Sequence, residues 1–148
     1  MLSNNKIKMK ISIGKPWDYA NNNDKLAALH EAGHAVIGTV LKLEIDYFRI
    51  WDNGNGEGML TDQDDDHPRN IAVMACAGSI VENLDWINEY DFEVIKNVGF
   101  SEKDLPELFD EAKILCDEYQ GQIKIVAAEL LKKKKLTGEE IKKLVYVL

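Results

Sequence analysis

The chain is poor in cysteine, histidine and proline: its 148 residues include 2 cysteines, 3 histidines and 3 prolines. The two thiols, Cys76 and Cys116, lie far apart and belong to no C-x-x-C pair. That excludes a thiolate zinc knuckle and a scaffold built on disulfides. Buried free thiols in a reducing compartment are the expected state. No apolar run reaches the ~20 residues that cross a bilayer, and the first residues lack the apolar core of a signal peptide. A cytoplasmic protein without membrane attachment is expected. Positive charge is also short: 18 Lys and Arg against 26 Asp and Glu leave a formal net charge of −8. Such a balance argues against a nucleic-acid binder. There is no G-x-x-x-x-G-K-[ST] phosphate loop, so the chain has no ATP motor of its own.

The length suits one domain, residues 1–148, with a sizeable core. Residues 7–13 alternate apolar and polar, with Ile7, Met9, Ile11 and Ile13 on one side, as in a half-buried strand. Residues 1–23 read as this strand and a polar lead-in, and residues 24–144 as a helical core. The first helix spans residues 26–41, with Asn23 or Asp24 as its cap. Ile45, Tyr47, Phe48, Ile50 and Trp51 are β-branched or aromatic and suggest a strand. A glycine- and asparagine-rich turn over 52–58 and a second strand from Gly58 complete a hairpin. Residues 62–66 form an acidic loop. Asp62, Asp64 and Asp66 have calcium-loop spacing, but His67 and Val73 stand where glycine and glutamate are required. A second helix is expected over 70–84, and two more, or one interrupted at Gly121, over 105–134. Lys132 to Lys135 complement the dipole at that helix end. A short closing helix over 136–148 carries Thr137 and Glu140 at capping-box spacing. The expected class is mainly α with a small β-hairpin or sheet.

Two of the histidines share one motif, His30-Glu31-Ala32-Gly33-His34. Four residues apart on a helix, they project from one face a turn apart, so both imidazoles can reach one Zn²⁺. Glu31 then flanks the metal, where it can take a proton from bound water. The surrounding stretch is apolar almost all round, which implies burial. Three ionisable groups buried together are costly unless something pairs them, and a metal does so. Gly33 costs about 1 kcal/mol relative to Ala in a helix interior, which hints at the close approach of another backbone. A catalytic zinc needs a third protein ligand and an open position. No third histidine follows His34 at metzincin spacing, which leaves later carboxylates: Glu82, Asp85 and Asp104. His67 is expected to be an exposed loop residue.

In order along the chain, four pieces resemble the peptidase domain of the FtsH-type AAA proteases. His30-Glu31-Ala32-Gly33-His34-Ala35-Val36 resembles the zinc helix of that family. Ala77-Gly78-Ser79-Ile80-Val81-Glu82 is similar to its second, small-residue helix. Asp104-Leu105, with Ala112 after it, resembles the segment that carries the third ligand. Leu130-Leu131 and Leu136-Thr137-Gly138-Glu139-Glu140-Ile141 resemble its closing helices. The resemblance implies a zincin-type helical metallopeptidase with His30, His34 and Asp104 on zinc and Glu31 as general base. Glu82 is the alternative third ligand. It implies ATP-independent cleavage of peptides or unfolded proteins in this chain, with a separate ATPase or adaptor as a compatible partner and oligomerisation left open. The hairpin edge over 51–61 would take an extended substrate by strand addition. The alternative is a catalytically inactive zinc-binding interaction or regulatory module derived from such a peptidase.

Overall fold

Small apolar residues fill the stretches that read as helices, and β-branched and aromatic ones fill 45–50; the fold follows that division. The computed structural model describes residues 6–12, 19–51, 54–61 and 67–146, side chains of 6–12 and 19–23 excepted. The order is β1 (Lys6–Ser12), α1 (Tyr19–Val40), β2 (Ile45–Ile50), β3 (Asn55–Thr61), α2 (Pro68–Val81), α3 (Glu89–Asn97), α4 (Leu105–Glu118), α5 (Gln120–Lys133), β4 (Lys135–Thr137) and α6 (Gly138–Tyr146). The four strands form one antiparallel sheet in the order β1-β3-β2-β4. The architecture is therefore mainly helical with a small sheet, as the sequence predicts. Among the described residues no helix is long and apolar enough to cross a membrane.

α1 is the element that every layer shares. It packs against α2 and α5, and against β2 and β3. Ala28, Ala32, Ala35, Val36 and Ile37 are fully buried along it, opposite Phe48, Ile50 and Leu60 of the sheet. Each large apolar side chain removed from water here contributes on the order of 2 kcal/mol. α1 starts well before residue 26, and Asn23 and Asp24 lie inside it instead of capping it. Once its later turns are fixed by packing, adding polar turns at the front requires no new nucleus.

The hairpin forms, but β3 begins at Asn55, within the expected turn. Gly56 and Gly58 are there because bulky groups cross the strand. A Cβ on Gly58 would fall 2.1 Å from Phe48 Cε1, and one on Gly56 would fall 2.6 Å from Glu31 Oε2. Glycine in a strand marks such approaches as well as turns. Asp52, Asn53 and the acidic loop over 62–66 lie outside the described residues.

α2 opens on Pro68 and stops at Val81, three residues short of expectation, where Asn83 turns the chain with φ 63°. α4 and α5 are separate helices that break at Tyr119, and Gly121 lies just inside α5. Lys134 ends α5 in the left-handed region, and its carbonyl accepts the Ile50 N–H at 2.9 Å. That turn delivers Leu136 into the core as β4, a strand with no sequence expectation behind it. The Thr137–Glu140 box is reciprocal: Thr137 N–H donates to Glu140 Oε1 at 2.8 Å, and Glu140 N–H donates to Thr137 Oγ1 at 3.2 Å. α3, too, has no counterpart in the sequence reading, and it matters most.

Candidate metal centre

The motif helix presents His30 and His34 one turn apart, as their spacing requires, with ring centroids 4.8 Å apart in an edge-on arrangement. Two glycines make room for the site. A Cβ on Gly78 of α2 would lie 2.4 Å from His30 Nε2, so the ring rests directly on that helix. A Cβ on Gly33 would meet Val81 Cγ2 at 2.9 Å and the Ala77 carbonyl at 3.0 Å. The backbone approach that Gly33 hinted at is that of α2.

The third donor comes from α3. Asn88 caps this helix, its side chain accepting the Asp91 N–H at 2.9 Å. Asp91, Val94 and Ile95 are its buried residues, an i, i+3, i+4 face. The two apolar members hold that face against the protein and carry the carboxylate inward with them. Asp91 Oδ2 lies 3.1 Å from His30 Nε2 and 3.3 Å from His34 Nε2. One ligand atom from each of His30, His34 and Asp91 lies within 4.8 Å of the others. Donors held at ~2.0–2.1 Å around a tetrahedral ion stand about 3.3 Å apart, which the two Asp91–imidazole separations match, so the group could hold a metal ion.

The opposite ring nitrogens are engaged as metal-binding imidazoles require. His34 Nδ1 donates to the Met74 carbonyl at 2.8 Å. His30 Nδ1 meets Glu82 Oε2 at 2.5 Å. An acceptor on Nδ1 fixes the tautomer and leaves Nε2 free to bind a cation. His34 Nε2 and Asp91 Oδ1 are buried without a hydrogen-bond partner, as are both oxygens of Glu31. Orphaned buried polar atoms are rare in proteins, and a bound ion would satisfy those of His34 and Asp91.

The electrostatics agree. His30, Glu31, His34 and Asp91 are each at most 1% exposed. Burial would depress the His30 imidazole, but hydrogen bonds to Asp91 and Glu82 reverse this and hold it at about 10 without metal. Burial pushes the Glu31 carboxyl well above its ordinary range, opposed by the charge of His30. Burial acts the same way on Asp91, but the two histidines outweigh it and keep that carboxyl below its usual value. The cluster wants positive charge: a proton in the empty site, a cation in the filled one.

The resemblance implies Asp104 as the third ligand, with Glu82 as the alternative; the carboxylate that the structure brings beside both histidines is Asp91. Asp104 closes a short 3₁₀ turn, Glu102–Asp104, ahead of α4. Its Oδ2 accepts the Ser101 N–H at 2.8 Å and the Ser101 hydroxyl at 3.3 Å, and it takes no part in the converging group. The reason is the stretch between Gly78 and Asp104, which folds as an additional helix and delivers its own aspartate. Glu82 does reach His30, but at Nδ1, across the ring from the convergent donors. Asp85 is exposed beside Trp86, Ile87 and Phe109. His67 stands at the start of α2, outside the cluster. Cys76 and Cys116 are buried free thiols, pushed up to about 12 by burial and so inert as nucleophiles.

The signal for Asp91 was present in the sequence: Asn88 at a cap position, then Asp91, Val94 and Ile95 on one helical face. No protein-family model matches the chain, and no curated protein matches it.

Proposed function

We propose that this protein is a zinc-dependent metallopeptidase whose metal is held by His30, His34 and Asp91. The observation that carries the reading is Glu31, a buried carboxylate with both oxygens unpaired, next in sequence to one ligand and one turn before the other. A metal site that only stabilises the fold has no use for it. The nitrogen and carboxylate donor set suits zinc, and three protein donors leave a position open. The same donors also serve Fe(II) in oxygen chemistry, and the base beside them favours hydrolysis.

When bound, zinc supplies an acidified water and an electrophilic centre for a carbonyl oxygen. The remaining work falls to the protein. Glu31 accepts the proton of the attacking water and returns it to the leaving amine nitrogen. Glu82 and the Met74 carbonyl hold the imidazoles in the tautomer that directs Nε2 at the metal. Peptides and unfolded polypeptides are the substrates in this reading, delivered freely or by a separate ATPase or adaptor.

Metal analysis of protein purified without added zinc should give one zinc per chain. Glu31→Gln should keep that zinc while cleavage of a fluorogenic peptide or of unfolded casein falls about 100-fold or more, the scale of a lost general base. Unchanged turnover would remove Glu31 from the mechanism, and iron in place of zinc would remove the peptidase reading.

A second reading, a non-catalytic zinc-stabilised interaction module, is favoured by one observation: the near-complete burial of the cluster. X-ray absorption on the zinc-loaded protein separates the two. A fourth protein ligand supports the module, and an oxygen from water supports the enzyme.

A further inference from the structure

A site that is sealed cannot receive a peptide. His30, Glu31, His34 and Asp91 are at most 1% exposed, so some covering element has to move before a substrate meets them. α1 and α2 are the core, and α3 carries Asp91; none of these can leave without dismantling the cluster. β3 holds Gly56 against Glu31 and is paired on both sides.

β1 is different. Its sequence holds no His, Cys, Asp or Glu to offer a metal donor. It pairs with β3 along its whole length, from Lys6 opposite Thr61 to Ser12 opposite Asn55. Ile11 stands opposite Gly56, the residue pressed against the Glu31 carboxylate. β1 also runs beside α3, the helix of Asp91. Its backbone therefore lies between the strand over the proton acceptor and the helix of the third ligand. The hairpin edge that the sequence offered to an extended substrate is already taken by this strand.

We infer that β1 is a removable strand, seated on β3 where an extended peptide must lie to reach the site, and that its departure opens the centre. The inference rests on the peptidase reading for what the opened site does. An incoming extended backbone can restore the same ladder of hydrogen bonds to β3, so one strand can replace another without leaving a bare edge. The β1 sequence alternates Lys6, Lys8 and Lys10 with Ile7, Met9 and Ile11. The competing substrate is therefore an extended segment with apolar residues at every second position.

Lys8 and Met59 are register partners across the two strands, which makes K8C/M59C a lock in the full-length chain. With the cross-link verified by mass spectrometry, zinc release to a chelator and peptide hydrolysis should both be at least tenfold slower in the oxidised form than in the reduced form. In a second variant, Ile11→Pro, a ladder donor is lost, and a labelled peptide of residues 6–12 should bind at least tenfold tighter than to the unmodified protein. Equal rates in locked and unlocked forms, or equal peptide binding to the two proteins, overturn the inference. If the lock slows zinc release and the peptide arm responds but no form hydrolyses anything, β1 is a removable strand and the peptidase reading fails. If no form holds zinc, the peptide arm alone decides the strand and the metal reading falls separately.

Discussion

Asn88–Asp91 and Ser101–Asp104 are near-twins in sequence and opposites in structure. Each places an aspartate three residues after a polar residue at the start of a helical segment. In each, the backbone N–H near the cap finds a side-chain oxygen: Asp91 N–H donates to Asn88 Oδ1 at 2.9 Å, and Ser101 N–H donates to Asp104 Oδ2 at 2.8 Å. Yet Asp91 is fully buried against two histidines, while Asp104 folds back on its own turn in partial contact with solvent. The local signal for a helix start is the same in both. What differs is the residues that follow. Val94 and Ile95, three and four positions on, are both buried and carry the Asp91 face inward, whereas the same positions after Asp104 are the exposed Glu107 and the buried Leu108, so only one apolar residue backs its face and its carboxylate turns to Ser101. A carboxylate near a helix start thus reaches a buried partner when the apolar face behind it turns inward.

The widest separation of the twins should come from Asp91→Asn. Removing the charge between two imidazoles should weaken zinc binding by more than about 100-fold, beyond the ~10–100-fold typical when an outer partner is lost. Competition with a chromogenic chelator measures it. Zinc affinity within a few-fold of the unmodified protein would return the ligand role to another carboxylate.

Glu82→Gln should have the next largest effect. Glu82 touches the metal site only through His30 Nδ1, so the expected loss of affinity is ~10–100-fold. An amide can still accept a hydrogen bond there, so Glu82→Ala should be worse than Glu82→Gln. Equal losses in the two variants would mean that Glu82 acts through charge alone.

Proton competition comes third. His30 is held at about 10 without metal, so at neutral pH zinc must displace its proton. Zinc affinity should therefore rise by about tenfold per pH unit between pH 7 and 9, with close to one proton released per zinc. Calorimetry in buffers of different ionisation enthalpy counts that proton. The metal-free protein should behave in the opposite sense. A raised imidazole stabilises the fold fully below its unfolded value of ~6.5. The contribution is lost as the pH climbs through about 10. Metal-free protein should melt lower at pH 9 than at pH 7, and zinc should remove the difference.

These effects also mark how far the sequence could be read. The histidine pair, Glu31 and their buried helix are legible because a spacing of four on an apolar helix fixes geometry without help from the rest of the fold. The hairpin was legible for the same reason, since alternation and turn chemistry are local. Gly56 reads as a turn residue because the reason for its missing side chain, Glu31, sits on another element. Leu136 was assigned to a helix because a strand of three residues has no periodicity to detect. Asp91 is hard to read because the cap and apolar face of α3 are short and diluted by charge. The partner of a site is a property of tertiary packing, and two similar caps cannot declare which one faces inward.

The smallest effect belongs to the other twin. Asp104→Ala should leave zinc affinity unchanged and lower stability by about 1 kcal/mol, the usual worth of a capping interaction. The loss is local: the Ser101 N–H and hydroxyl give up an acceptor, but both sit where water can replace it. The variant should therefore melt a few degrees lower by calorimetry, with the same midpoint shift whether zinc is present or absent. That equality is the sharp part. If the shift were larger with zinc than without, Asp104 would be coupled to the metal, and the distinction between the two helix starts would dissolve. If it were the same, the two aspartates would differ as the packing says: one belongs to the cation, the other to the first turn of its own helix.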